Sequence, residues 1–308
     1  MATYLVTGGA GFIGSHLCDS LIADGHTVRV LDDLSTGKAE NLQPAVTLII
    51  GDAADLDAVL AAAEGVDGIF HLAAIASVQR GNEDWLGTHR ANLTATITVL
   101  EAARRNARVP VVYASSAATY GNATDLPITE ETRQIPLTAY GADKMGSELH
   151  ARVAWSVHQT PTAGLRFFNV FGPRQDPASP YSGVISIFAA RIANRTSVTL
   201  HGDGSQTRDF IYVADVVRHI RAAMVSLGDR PRAFACNVCT GRAVSVEQLA
   251  RTMARVSGWN APSISYGPAR AGDIKHSLGS PALAIAELGV CAEADFEESL
   301  SQTLKSLG

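Results

Sequence analysis

The sequence predicts an α/β fold: a doubly wound parallel sheet with helices on both faces, followed by a smaller C-terminal lobe. Three observations carry this expectation. Short apolar runs alternate with helix-periodic segments through the first half of the chain. A glycine-rich turn joins the first run to the first helical segment. After Phe168 the alternation stops, and Gly172, Pro173, Pro177, Pro180 and Gly183 mark a long irregular stretch.

Taken in order, strands are expected over 3–7, 27–32, 46–50, 68–72, 110–115 and 164–168, each a short apolar run of buried-strand type. Helices are expected between them, over 13–24, 56–63, 92–105 and 140–158. The last carries Met145, Leu149, Val153 and Val157 at four-residue steps, which is one apolar stripe. Strands joined through helices run parallel, because a hairpin cannot connect them that way. A nucleotide-binding domain is expected over 1–168, with 210–238 returning to it. A second lobe is expected over 169–209 and 239–308, with a helix over 245–257.

With 308 residues the chain can bury a large core. A hydrophobic share of 46% and a charged share of 18% are those of a soluble globular protein. A net charge of -5 argues against a general nucleic-acid binder. The longest apolar stretch, 66–76, is interrupted by Asp67 and His71, so no membrane partner is expected. The glycine turn follows the first strand directly, so no leader is expected. Four scattered cysteines suit a reducing cytoplasm. Cys236 and Cys239 form a CxxC with no second pair or nearby His, which reads as packing rather than a metal site.

Gly8, Gly11 and Gly14 have the spacing of a dinucleotide loop. Glycines let the backbone turn sharply and approach a pyrophosphate, and the following helix aims its N-terminus at the negative charge. Phe12 and Ile13 belong to the same loop. Asp32, about 18 residues beyond Gly14, ends the second strand and is placed to accept from a ribose 2′-hydroxyl. A carboxylate repels a 2′-phosphate, so NAD is the expected cofactor rather than NADP.

Tyr140 and Lys144 stand four residues apart and share one helix face. An ammonium beside a phenol favours phenolate and makes a proton acceptor available well below the usual ~10. Such a pair alone is most often a solvated helix face. Downstream of a dinucleotide loop it points to oxidoreductase-type chemistry.

These features together resemble the extended short-chain dehydrogenase/reductase family, and within it the UDP-hexose 4-epimerases, over nearly the whole chain. The resemblance implies a Rossmann-type fold. Asp32, Asp33, Leu34, Ser35, Thr36 and Gly37 are similar to the adenosine-ribose segment, and Gly51, Asp52 and Ala53 to the adenine turn. His71, Leu72, Ala73 and Ala74 resemble the strand end against the cofactor. Asn92 occupies a structural Asn position. The run Ser115 to Gly121 resembles the catalytic-serine segment, with Ser116 as the hydrogen-bonding serine. The runs Arg166 to Arg174 and Gly202 to Phe210 resemble nucleotide-sugar signatures, which implies Asn169 and Arg208 at the substrate. The run Arg270 to Asp273 resembles a diphosphate and ribose contact.

The resemblance implies C4 epimerisation of a UDP-hexose through a transient 4-keto sugar, using tightly held NAD. Tyr140 is the implied base, Lys144 lowers its pKa and holds the nicotinamide ribose, and Ser116 aligns the oxygen. Ser116 could equally cap a turn. Ser277, four residues after Asp273, is implied beside the sugar C2 substituent, where a small residue admits an acetamido group. UDP-GlcNAc and UDP-GalNAc then join UDP-Glc and UDP-Gal as substrates, although Ser277 also reads as a loop serine. Ala117 and Ala118 replace the acidic pair of related dehydratases, so water elimination is not expected. Cys239 departs from the family's usual Gly. A homodimer through the helices at 92–105 and 140–158 is implied, with Trp155 and Val157 adding apolar area. A UDP-uronate 4-epimerase or decarboxylase, and a non-catalytic NAD sensor, remain as alternatives.

Overall fold

The structure is a computed structural model that describes residues 1–175, 184–259, 262–269 and 274–306. The first half builds β1 (Thr3–Thr7), α1 (Phe12–Ala23), β2 (Thr27–Asp32), β3 (Thr47–Ile50), α2 (Leu56–Ala63), β4 (Gly68–His71), α3 (Val78–Glu83), α4 (Trp85–His89), α5 (Ala95–Arg105), β5 (Val111–Ser116), α6 (Ala139–His158) and β6 (Thr162–Phe167). The second half adds β7 (Asn169–Phe171), α7 (Val184–Ala193), β8 (Val198–His201), β9 (Thr207–Arg208), β10 (Phe210–Tyr212), α8 (Val213–Asp229), β11 (Ala233–Val238), β12 (Val244–Ser245), α9 (Val246–Val256), β13 (Ile264–Gly267), α10 (Ala282–Leu288) and α11 (Phe296–Lys305).

Seven strands form one parallel sheet in the order β11-β6-β5-β4-β1-β2-β3. All the predicted strands are present; 3–7 and 27–32 match end for end and the other four have ends shifted by one or two residues. The chain leaves β1 in one direction and later returns beside it with β4. The order therefore reverses between β1 and β4, and the carboxyl ends of those strands open a crevice. Later in the chain β11 adds to the main sheet beside β6 and α8 packs on it, while β10 pairs with β7 in a separate two-stranded sheet.

The sheet is apolar on both faces, as a sheet covered by helices must be. One face packs α1 and α8 through Leu17, Leu21, Val216 and Ile220; the other packs α2, α5 and α6 through Val59, Val99 and Ala151. A third core, with Phe171, Phe188, Leu200, Leu249 and Met253, belongs to the smaller lobe. Burying each such side chain contributes roughly 1.5–3 kcal/mol, and this cluster lies under the lobe's short strand pairs.

One element differs from expectation. The helix predicted over 92–105 begins with a π-helical turn, Arg90–Thr94, before α5. The apolar stripe of α6 does not enter the core: Leu149, Val153 and Val157 are 51%, 51% and 65% exposed. The core side of α6 is instead small or polar, with Gly141, Asp143, Lys144, Ser147, Ala151 and Ala154. The helix predicted over 245–257 is α9, started by the Ser245 hydroxyl accepting from Gln248 N–H. Among the described residues no helix is long and apolar enough to cross a membrane.

Candidate active site

The crevice at the β1/β4 switch is a cavity of about 440 Å³. Its floor is the turn between β1 and α1. Gly8 has φ +70°, and a Cβ there would sit 2.5 Å from Ala73 N; a Cβ on Gly14 would sit 2.2 Å from Gly8 O. Neither position accepts a side chain without moving backbone. No side chain caps the N-terminus of α1, and its first turn carries no acid. Its amide groups are thus left for an anion.

At the far side of the turn, Asp32 is 6% exposed. Its carboxylate accepts from Ala10 N (2.9 Å) and Leu34 N (2.9 Å). Burial pushes its pKa up and these two bonds push it down. Asp33 accepts from the amide and hydroxyl of Ser35 (2.9 and 2.6 Å), which shapes the next turn. Asp32, Asp33, Ser35, Thr36, Asp52 and Ala53 line one end of the cavity. Gly8, Gly11, Phe12, Ile13, Gly14, Leu72, Ala73 and Ala74 line its middle, and Tyr140 and Lys144 its other end. A glycine cradle with uncapped amides and an acid at the second strand end suits a dinucleotide.

Three expected cofactor residues stand behind this wall. Leu34, in the left-handed region at φ 57°, donates its amide to the Asp32 carboxylate, and Gly37 packs so close to it that a Cβ there would lie 2.8 Å from Oδ1. Asn92 is fully buried and braces Ile75, accepting from its amide at 2.8 Å and donating to its carbonyl at 3.3 Å.

The chemical end of the cavity rests on β5 and α6. Thr138 caps α6 by accepting from Gly141 N–H at 3.0 Å. Lys144, one turn after Tyr140, is 1% exposed and donates to Ala114 O at 2.8 Å. Its Nζ is 5.8 Å from the Tyr140 ring centre. Burial pulls Lys144 down to about 8, while the adjoining Asp143 pushes it up. The Ser116 hydroxyl neighbours the Tyr140 phenol and lowers its pKa, and it accepts from Ala118 N–H at 3.1 Å. It therefore caps the following turn and meets the phenol at once.

One expectation requires correction. In the protein alone the Tyr140 pKa is raised, not lowered: burial dominates, and the Ser116 hydroxyl opposes it. The Lys144 charge does not govern the phenol because its ammonium is turned onto a backbone carbonyl. Beneath the site, His71 is buried between Thr7 Oγ1 (2.7 Å) and Thr96 Oγ1 (3.2 Å). Burial, then the Lys144 charge, drives it down to about 3, so it stays neutral.

The expected sugar-side residues lie around β7, β9 and the segment after residue 274. Asn169 opens β7 and its amide donates to Asp209 O at 3.0 Å. Arg208, on β9, donates to Thr207 O at 2.8 Å. Ser277 is half-buried and its amide donates to Thr207 O at 3.1 Å, which brings it beside Arg208. Buried Asp209 holds this region together by accepting from the amides of Thr240 (2.8 Å) and Gly241 (2.9 Å) and from the Thr240 hydroxyl (2.7 Å). Arg270 and Asp273 lie outside the described residues. Cys236 and Cys239 are fully buried; a Cβ at Gly279 would lie 2.7 Å from Cys239 Sγ. The glycine at 279 makes room for the unusual cysteine.

Sequence reasoning missed Arg80, Asp84, Gly87 and Arg90, which also line the cavity. They belong to or flank α3 and α4, helices of 6 and 5 residues, too short for periodicity to register. The readable signals were their caps, Ser77 accepting from Arg80 N–H and Asp84 accepting from Gly87 N–H.

The sequence profile described as the NAD dependent epimerase/dehydratase family matches residues 4–238. The chain belongs to that family. This family member is 37% identical over 318 residues to a UDP-glucose 4-epimerase of Mycolicibacterium smegmatis, covering 97% of this chain and 99% of the relative. Its structure is similar to the UDP-N-acetylglucosamine 4-epimerase of Methanobrevibacter ruminantium in complex with UDP-N-acetylmuramic acid. The TM-score is 0.93 at 34% identity, with 99% of this chain and 98% of the other covered. It matches equally well, at TM-score 0.93 and 32% identity with the same coverage, the Thermotoga maritima UDP-glucose 4-epimerase with UDP-glucose.

Proposed function

We propose that this protein is an NAD-dependent UDP-hexose 4-epimerase, and that Tyr140, Ser116 and Lys144 carry the reaction. The observation behind the residue roles is that Tyr140 and Lys144 line the end of a dinucleotide cavity, with Ser116 acting on the phenol and alanines at 117 and 118 where an eliminating enzyme needs acids. The uncapped start of α1 and the Asp32 carboxylate hold NAD by its pyrophosphate and adenosine ribose. When bound, NAD supplies a hydride acceptor and a positive charge.

Tyr140 removes the proton of the sugar 4-hydroxyl and later returns it to the same oxygen. Ser116 donates to that oxygen and keeps the phenol aligned. Because burial raises the phenol pKa, the protein alone keeps Tyr140 protonated, and the base forms only in the loaded site. Lys144 anchors this end of α6 to β5 and offers its remaining donors to a ribose. Asn169 and Arg208 bind the diphosphate, with Arg270 and Asp273 completing that side. Ser277 borders the C2 substituent, so UDP-GlcNAc and UDP-GalNAc are accepted with UDP-Glc and UDP-Gal.

Two subunits pair through α5 and α6. Ile97, Leu149, Val153 and Val157 give that surface an exposed apolar stripe that a monomer leaves in water. Four cysteines without a disulfide fit a cytoplasmic enzyme. The test is a scan of UDP-glucose, UDP-galactose and their N-acetylated forms for C4 inversion. Turnover of none of them would remove the reading.

A further inference from the structure

Behind the Tyr140 face lies a buried polar hub that the reaction chemistry has not used. Its centre is Glu148, two turns beyond Tyr140 and one beyond Lys144 on the same side of α6. The Glu148 carboxylate accepts four hydrogen bonds. Oε1 receives Ser115 Oγ (2.5 Å) and Arg166 Nε (2.9 Å); Oε2 receives Arg166 Nη2 (2.7 Å) and Gln134 Nε2 (2.9 Å). The side chains of Arg166 and Glu148 are only 8% and 10% exposed. Ser115 and Arg166 face each other in the β5–β6 register, and Ser115 immediately precedes Ser116.

The hub continues toward the smaller lobe. Arg166 Nη1 donates to Tyr120 Oη (2.7 Å), and Tyr120 donates to Asn237 Oδ1 (2.7 Å). Asn237 Nδ2 donates to Ile128 O (3.0 Å). Ile128 is paired on its two sides with Leu278 O and Ser280 N, the segment that begins next to Ser277. A chain of direct contacts thus runs from the base helix to the sugar-side loop.

A buried ion pair is a poor way to gain stability, since apolar residues of the same volume often do as well or better. What four directed bonds do supply is a fixed position. Lys144 holding Ala114 O and Glu148 holding Ser115 Oγ attach α6 to successive residues of β5.

We propose that Glu148 is a positioning residue for the reaction: by gripping Ser115 and Arg166 together it sets the Ser116–Tyr140 alignment relative to the sugar-side loop. This rests on Tyr140 and Ser116 being the reacting pair. Glu148 does not line the cavity and acts through Ser115 and Arg166.

The test uses Ser115→Ala, which removes one hub bond and leaves the ion pair, with Ser115→Thr as the conservative rescue. Glu148→Gln serves as a harsher variant, since it strands the Arg166 charge. Measurements are kcat, KM for UDP-glucose, retained NAD, thermal midpoint and the pH profile of kcat. A small misalignment costs rate steeply, so Ser115→Ala should lose roughly 10-fold in kcat. KM, retained NAD and midpoint should stay close to wild type, the kcat profile should move to higher pH, and Ser115→Thr should restore rate and profile. A Ser115→Ala enzyme with wild-type kcat and profile overturns the proposal. So does a loss of kcat only in step with KM, NAD and midpoint, because that is general damage. If Tyr140→Phe stays active, the catalytic reading itself fails. The phenol titration, taken as the difference between each variant and its Tyr140→Phe counterpart, then still decides whether Ser115 positions Tyr140.

Discussion

The nucleotide end and the chemical end of the crevice are built by different means. At the nucleotide end the backbone does the recognising. Gly8 and Gly14 are required because the chain passes within 2.2–2.5 Å of where a Cβ would be, and a single carboxylate, Asp32, adds discrimination. At the chemical end the side chains decide. Tyr140, Ser116, Lys144, Glu148 and Arg166 come from three elements, which the bonds of Lys144 to Ala114 O and of Glu148 to Ser115 and Arg166 tie together. The first end tolerates few changes of shape; the second tolerates few changes of a single atom.

The largest expected effect is at the chemical end. Tyr140→Phe removes one oxygen and should reduce turnover by ~10²–10⁴ while NAD and UDP-sugar binding survive. Calorimetric binding beside a turnover assay checks this, and near-normal turnover would falsify the assignment of Tyr140 as base. At the nucleotide end, Asp32→Ser should weaken NAD by about 1.5–3 kcal/mol, the worth of a hydrogen bond to a charged group, and narrow the preference over NADP. Release of the bound nucleotide by denaturation and its identification measures the preference. An unchanged NAD preference would shift the discrimination to other residues.

Next comes pH. His71 has its folded pKa near 3, against about 6.5 when unfolded. Between those values the unfolded chain binds the extra proton. Stability is therefore complete above about 6.5 and declines as pH falls, by at most ~1.4 kcal/mol per pH unit. Thermal midpoints from pH 7 to pH 4 should fall in wild type, and the slope should flatten in His71→Asn. Equal slopes would remove His71 from the acid response. The smallest effect is at the sugar side. Ser277→Tyr should lower kcat/KM for UDP-GlcNAc relative to UDP-glucose by filling space near C2. An unchanged ratio would place Ser277 away from that substituent.

The same contrast explains what the sequence disclosed. The glycine loop, Asp32 and the strand–helix order are local, so spacing alone located them. Tyr140 and Lys144 were legible because a helix converts a four-residue interval into a shared face. Glu148, Arg166, Tyr120 and Asn237 were not, because their meeting depends on sheet register and on β11 joining β6 from far along the chain. An arginine in the middle of a predicted buried strand was the available signal, since such a residue is almost never buried without a partner. The α6 stripe was visible as a pattern, but periodicity does not say whether an apolar face meets the core or another molecule.

The central claim is that the chain inverts C4 of a UDP-hexose with NAD left unchanged at the end of each cycle. Proton NMR of UDP-glucose incubated with the NAD-loaded protein tests it, with absorbance at 340 nm followed in parallel. The expected result is UDP-galactose appearing until a fixed mixture is reached, with no steady rise in reduced cofactor, and neither change in Tyr140→Phe. Stoichiometric reduction of NAD without UDP-galactose would make the protein a dehydrogenase and contradict the account.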